Sequence, residues 1–185
     1  MSEATTPPTG TEQGPPVPLV VNIQYVKDLS FEVPNAPQIY TQLRSQPLVS
    51  INLDVQARRL GENQNVFEVT LLVRAEAQEG PNPAGNGQDA AAAGATAAPR
   101  ATVFVAELSF AGVFTLNNVP ENAVEPVLLV ECPRLLFPFA RNILADVTRE
   151  GGFPPVMLQP VDFVALWQAR RGAAAQPQEA GTRPN

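Results

Sequence analysis

Apolar and polar residues alternate at the front of the chain. Val17, Leu19, Val21, Ile23 and Tyr25 are apolar, with Asn22 and Gln24 between them. Leu29 and Phe31 keep the odd-numbered phase, against Asp28, Ser30 and Glu32. A period of two predicts a β-strand with one face buried. Pro34 and Pro37 end it and force a turn. Val49, Ile51, Leu53 and Val55 then alternate with Ser50, Asn52, Asp54 and Gln56. Beyond the turn Gly61–Asn65, the residues Phe67, Val69, Leu71, Val73 and Ala75 alternate with Glu68, Thr70, Arg74 and Glu76. This pair predicts a hairpin with one wet face.

A fourth strand, Ala101–Leu116, breaks the rule. Val103 and Val105 share one face, while Phe104, Ala106, Leu108 and Phe110 share the other. A strand apolar on both sides needs two covers: its own core, and either a helix of the same chain or another subunit, which is the favoured cover. Leu135, Leu136, Phe139, Ala140, Ile143, Leu144 and Val147 then recur at helical spacing, with Pro133 fit for a first turn and Gly151–Gly152 for a stop. Pro138 lies one turn inside and predicts a kink or the true start. Asp162 can N-cap a short helix bearing Phe163, Leu166 and Trp167, closed by Gly172. The predicted fold is α+β: a four-stranded antiparallel sheet, a long kinked helix and a short C-terminal helix.

Composition divides the chain further. Residues 1–16, 80–100 and 172–185 are rich in Pro, Gly, Ala and small polar residues, with almost nothing to bury. They predict a disordered N-terminal tail, a flexible insertion and a disordered C-terminal tail around one domain, 17–171. Residues 1–16 have no basic residue and no apolar core of a signal peptide, and no apolar run approaches a membrane span. The net charge of −6 argues against a counterion-releasing grip on nucleic acid. The absence of histidine removes the Ser–His–Asp triad and imidazole metal ligands, and a single cysteine removes any internal disulfide. No phosphate-binding glycine motif is present. These exclusions leave a binding protein, without cofactor or metal, as the natural expectation.

Two clusters invite binding. Asp28 and Glu32 emerge on one strand face about 13 Å apart, too wide for an acid/base pair on one small substrate. Glu107 joins them if its strand is adjacent, and Ala101–Cys132 carries four glutamates and no basic residue. The face is either simply solvated or an acidic plate for a basic partner. Phe137, Phe139, Phe153, Phe163 and Trp167 crowd the last 50 residues around prolines. They either pack a core or, with Met157, line a groove for apolar ligand groups. Cys132 reads as a buried small hydrophobe.

Three segments resemble SecB, the bacterial protein-export chaperone family. Tyr25-Val-Lys-Asp-Leu-Ser-Phe-Glu-Val-Pro-Asn-Ala-Pro37 is similar to its Y-x-K-D-x-S-F-E-x-P-N-A-P, and Glu107-Leu-Ser-Phe-Ala-Gly-Val-Phe114 to its acidic strand with a G-[IV]-F ending. Cys132-Pro-Arg-Leu-Leu-Phe-Pro-Phe-Ala-Arg141 follows, with Gly152-Phe-Pro154 and Pro160-Val-Asp-Phe163 after it. The likeness spans residues 20–170 and is nearest to alphaproteobacterial members. It implies a cytoplasmic homotetramer, a dimer of dimers with subunits paired through the fourth strand. It also implies a non-enzymatic, ATP-independent holdase that wraps unfolded preproteins and passes them to the motor SecA. The zinc-containing C-terminal segment of SecA would dock on Asp28, Glu32 and Glu107 with Val105 beside them, and the zinc belongs to that partner. Phe104, Phe137, Phe139, Phe163 and Trp167 would line the client groove. The chain departs from the family in its long 80–100 insertion, in Ser45-Gln46 where some members have tryptophan, and in Phe110 where some have glutamine. A small-molecule (lipid-like) binding domain is the alternative, and a carboxylate hydrolase fits the open-face spacing poorly.

Overall fold

A computed structural model describes residues 18–62, 64–80 and 100–174. The 1–16 tail, the interior of the 80–100 insertion and the C-terminal tail beyond residue 174 lie outside the described residues. Strands β1 (Leu19–Glu32), β2 (Leu48–Arg59), β3 (Val66–Gln78) and β4 (Thr102–Leu116) form one antiparallel sheet in the order β1-β4-β3-β2. The β2–β3 hairpin and the four-stranded sheet match expectation. β4, however, is an inner strand, hydrogen-bonded to β1 and β3 along its two edges. The free edges belong to β1 and β2, so a second subunit can reach only the face of β4.

Register assigns the two faces. Phe67↔Phe114, Leu71↔Phe110, Val73↔Leu108 and Ala75↔Ala106 put odd residues of β3 and even residues of β4 on one side. That side meets the long helix, and its residues form the main core. β1 does not keep a single phase. Bulges between Val21 and Ile23, and between Val26 and Asp28, each insert one residue and flip the faces. Leu19 and Val21 share the helix side with Phe114 and Leu116, Ile23 and Tyr25 cross to the far side, and Leu29 and Phe31 return. Alternation alone cannot show this, because a bulge leaves every residue type in place.

The one-turn helix α1 (Ile39–Gln42) interrupts the proline-rich turn after β1. Ile39, Val33 and Leu43 join Val103, Phe104 and Phe153 in a second apolar cluster. Val103 falls at the register shift between Ala77 and Gln78 and is buried in this cluster beside Ile39.

The long helix starts at Glu121, well before Pro133. It runs through α2 (Glu121–Pro126), a π-helical turn at Val127–Glu131 and α3 (Cys132–Glu150). Pro133 has no N–H to donate to a carbonyl four residues back, and the wider π turn sits directly before it. Pro138 is accommodated within α3 rather than starting it. Cys132, Leu136, Ala140, Leu144 and Thr148 are spaced by four and buried against the sheet. Leu135 and Phe139 remain exposed instead, although their spacing fitted the buried face. Gly151 and Gly152 end α3: their amides donate to the Val147 and Arg149 carbonyls, and Gly152 takes a left-handed φ of 84°. The Thr148 hydroxyl donates to the Leu144 carbonyl and accepts from the Val156 amide, pinning the next loop back on the helix. Asp162 caps α4 (Phe163–Ala174) as expected, its Oδ1 accepting from the amides of Val164 and Ala165 at 3.0 Å. The helix passes Gly172, two residues beyond the expected stop.

Candidate functional site: an acidic sheet face and apolar troughs opposite

The far side of the sheet is a lattice fixed by register. One row across the strands is Glu32, Val105, Glu76 and Ser50; the next is Ser30, Glu107, Arg74 and Asn52; the third is Asp28, Ser109, Leu72 and Asp54. Rows repeat about every 7 Å and strands about every 5 Å. Asp28 and Glu32 share this face because both lie after the second bulge, so the sequence argument for them survives. β1 and β4 are neighbours, which brings Glu107 and Val105 alongside. Asp28 and Glu107 line a shallow hollow of about 240 Å³ with Asn52, Asp54, Arg74 and Ser109. Glu76 and Asp54 are members that the sequence reading treated only as polar alternates. Their proximity follows from β2–β3–β4 pairing, which no local pattern reveals.

The charges on this lattice are not equivalent. Arg74 donates from Nη1 to Glu107 and from Nη2 to Glu76 at 3.3 Å. Asp54 pairs with Arg170 of α4 at 3.2 Å. Asp28 and Glu32 form no ion pair among the described residues. Farther along, Glu68 departs from the wet face expected of β3. It is only 3% exposed, beneath Tyr25, Lys27 and Arg58. Lys27 Nζ reaches Glu68 Oε2 at 2.9 Å, Arg58 Nε reaches the same oxygen at 2.5 Å, and Tyr25 Oη donates to Oε1. These donors, Arg58 foremost, hold the Glu68 carboxyl down at about 2 against the opposing pull of burial. Lys27 is the extra residue at the second bulge, so the kink that resets the register also delivers a cation to Glu68.

Apolar troughs follow β2 on the opposite side. One, of about 310 Å³, is walled by Pro47, Val49, Ile51, Phe104, Val156 and Met157. A second, of about 280 Å³, lies between β2 and α4 over Val55, Leu129, Leu166 and Trp167. A third hollow, of about 620 Å³, continues past Arg170 along Ala57, Val124 and Leu128 and is mixed in character, with Gln56, Arg59, Glu121 and Glu125 also on its walls. Val49, Ile51 and Met157 are exposed. Of the sequence-named aromatics, Phe104 forms a wall of the first trough although almost wholly buried, and Trp167 a wall of the second. Phe163 is sealed in the core with Phe137 edge-on to it at 5.9 Å. Phe139 is half exposed at the flank of α3, its ring stacked on the buried Phe110 of β4 at 6.1 Å. Sequence reasoning missed the β2 wall, since Val49 and Ile51 look like ordinary inward residues of a strand. They are exposed because the long helix does not extend over that corner. Cys132 is buried, as expected, and its thiol is pushed up to about 12, chiefly by desolvation. Among the described residues no His, Cys, Asp or Glu cluster could hold a metal, and no helix is long and apolar enough to cross a membrane.

Several known proteins are similar to this chain in sequence or in fold. A sequence profile described as "Preprotein translocase subunit SecB" matches residues 12–174. The protein-export protein SecB of Acidiphilium cryptum is 68% identical over 83% of this chain and 89% of its own length. That of Granulibacter bethesdensis is 64% identical over 92% and 90%, and SecB 1 of Gluconobacter oxydans is 56% identical over 98% and 99%. Among solved structures, a Mycobacterium tuberculosis SecB-like chaperone in complex with an antitoxin-derived ChAD peptide shares the fold. It aligns with a TM-score of 0.56 at 14% identity over 77% of this chain and 90% of that one. A profile match over nearly the whole sheet-and-helix domain, with relatives this similar end to end, establishes that the chain belongs to the SecB family.

Proposed function

We propose that this chain is an ATP-independent holdase of protein export: it keeps unfolded preproteins in a translocation-competent state and delivers them to SecA. The observation that carries the reading is the separation of two chemistries by one sheet. Open troughs with apolar walls follow β2 on the helix side, and a field of carboxylates occupies three rows of the far side. An unfolded segment gains about 25 cal/mol per Å² of apolar surface it buries in such troughs, before ordering costs. Apolar contact discriminates weakly between side chains, so many clients qualify, while a folded protein hides the segments that would bind. Phe104, Phe137, Phe139, Phe163 and Trp167 belong to this client side, Phe104 and Trp167 as trough walls and Phe137 and Phe163 as the packed layer beneath. Asp28, Glu32 and Glu107, with Val105 among them, form the dock for the zinc-containing C-terminal segment of SecA. The working unit is a cytoplasmic homotetramer, and its support is the exposed apolar side chains of Val20, Ile23, Val26 and Leu29 on the two faces of edge strand β1 and of Leu135 on α3.

The test is a refolding assay. A denatured preprotein should refold and aggregate more slowly with this protein present, with or without nucleotide, while its native form is ignored. Asp28→Lys with Glu32→Lys should weaken capture of the SecA segment and leave that holding activity intact. Equal binding of native and unfolded client, or holding that requires ATP, refutes the reading.

A further inference from the structure

The docking face carries its own cation. Arg74 sits directly across from Glu107 in the β3–β4 register, and Glu76 lies two residues along on the same face. Its guanidinium is held from both sides by those carboxylates and remains half exposed. In the three rows around it stand Glu32, Glu76, Glu107, Asp28 and Asp54, and Arg74 is the single basic member. A cationic side chain from a docking partner would seek the place this guanidinium already occupies. Glu107 can accept it in full only by releasing Arg74.

We infer that Arg74 is an internal competitor on the docking face, so that docking of a basic segment is an exchange of one cation for another at Glu107. This rests on the docking reading above and adds what limits its affinity. Asp28 and Glu32, without ion pairs among the described residues, are the anions that meet the partner first. Glu107 contributes afterwards, discounted by the contact it gives up. The exchange keeps the contact readily reversible, as a hand-over step requires.

The experiment measures binding of the zinc-loaded C-terminal segment of SecA by calorimetry at several salt concentrations. The wild type is compared with Arg74→Gln, Arg74→Lys and Asp28→Lys, each first checked for unchanged melting and oligomeric state. Removing the competitor should tighten binding about two- to fivefold, the range of an exposed ion pair, and steepen its salt dependence. Arg74→Lys keeps the charge and should return both readouts toward wild type. In the Arg74→Gln background, Glu107→Gln should cost more affinity than in the wild type. Arg74→Gln binding that is unchanged or weaker, while Asp28→Lys still weakens binding, overturns the exchange and leaves the docking face standing. If Asp28→Lys has no effect either, the docking reading falls and the exchange with it.

Discussion

Glu68→Gln isolates one buried charge. Glutamine has the shape of the protonated acid, so the stability difference between the two proteins follows ionisation of Glu68. The carboxyl drops from its ordinary 4.5 to about 2 in the fold. A lowered carboxyl contributes stability that is fully present above its unfolded value and is lost as pH falls through the folded one. At 1.36 kcal/mol per unit the upper figure is about 3 kcal/mol at pH 7. Lys27 and Arg58 are partly solvated and regain hydration when the charge is removed, so about 2–3 kcal/mol is expected. More than half of that should vanish between pH 5 and pH 3, because the unfolded chain takes up its proton across that window while the folded protein has not. Urea unfolding of both proteins at fixed subunit concentration, at pH 7, 5, 4 and 3, measures it; fixing the concentration keeps any assembly term constant. A difference below about 0.5 kcal/mol at pH 7, or one that does not shrink by pH 3, refutes the argument that Arg58, Lys27 and Tyr25 stabilise the ionised form.

Two further outcomes check the helical layer. The buried, desolvated Cys132 thiol should resist thiol reagents at pH 8 in the folded protein and react at once in denaturant, and rapid native labelling would contradict its place on the sheet-facing side of α3. Asp162→Ala removes the acceptor for two amides at the start of α4 and should cost about 1 kcal/mol. The emission of the single Trp167 should shift red as the helix frays from β2, and unchanged emission and stability would argue that packing of Phe163 alone fixes α4.

Local patterns were enough for the parts of this protein that local forces decide. Period-two alternation marked the strands, because side chains on a pleated backbone must point to alternate faces. Asp162 and Gly151–Gly152 marked helix ends, since a cap depends on the chemistry of one or two residues. Asp28 and Glu32 could be placed on one face because they lie four residues apart with no bulge between them, and their motif, with those around Glu107 and Cys132, tied the chain to SecB. Other features needed the sheet to be assembled. The bulges in β1 alter which residues pair without altering the residue pattern, so the change of face at Ile23 and Tyr25 was hidden. The early start of the long helix was obscured by Pro126 and Pro133, whose lost hydrogen bonds a π turn accommodates. Glu68 looked solvated because its cover comes from β1 and β2, and Arg74 looked like a plain surface cation because Glu107 is 33 residues away in sequence. Spacing along a strand is set by covalent geometry and can be read from one segment. Which strand lies beside which is set by burial and pairing across the whole domain, and that decided where the charges meet and which apolar walls stay open.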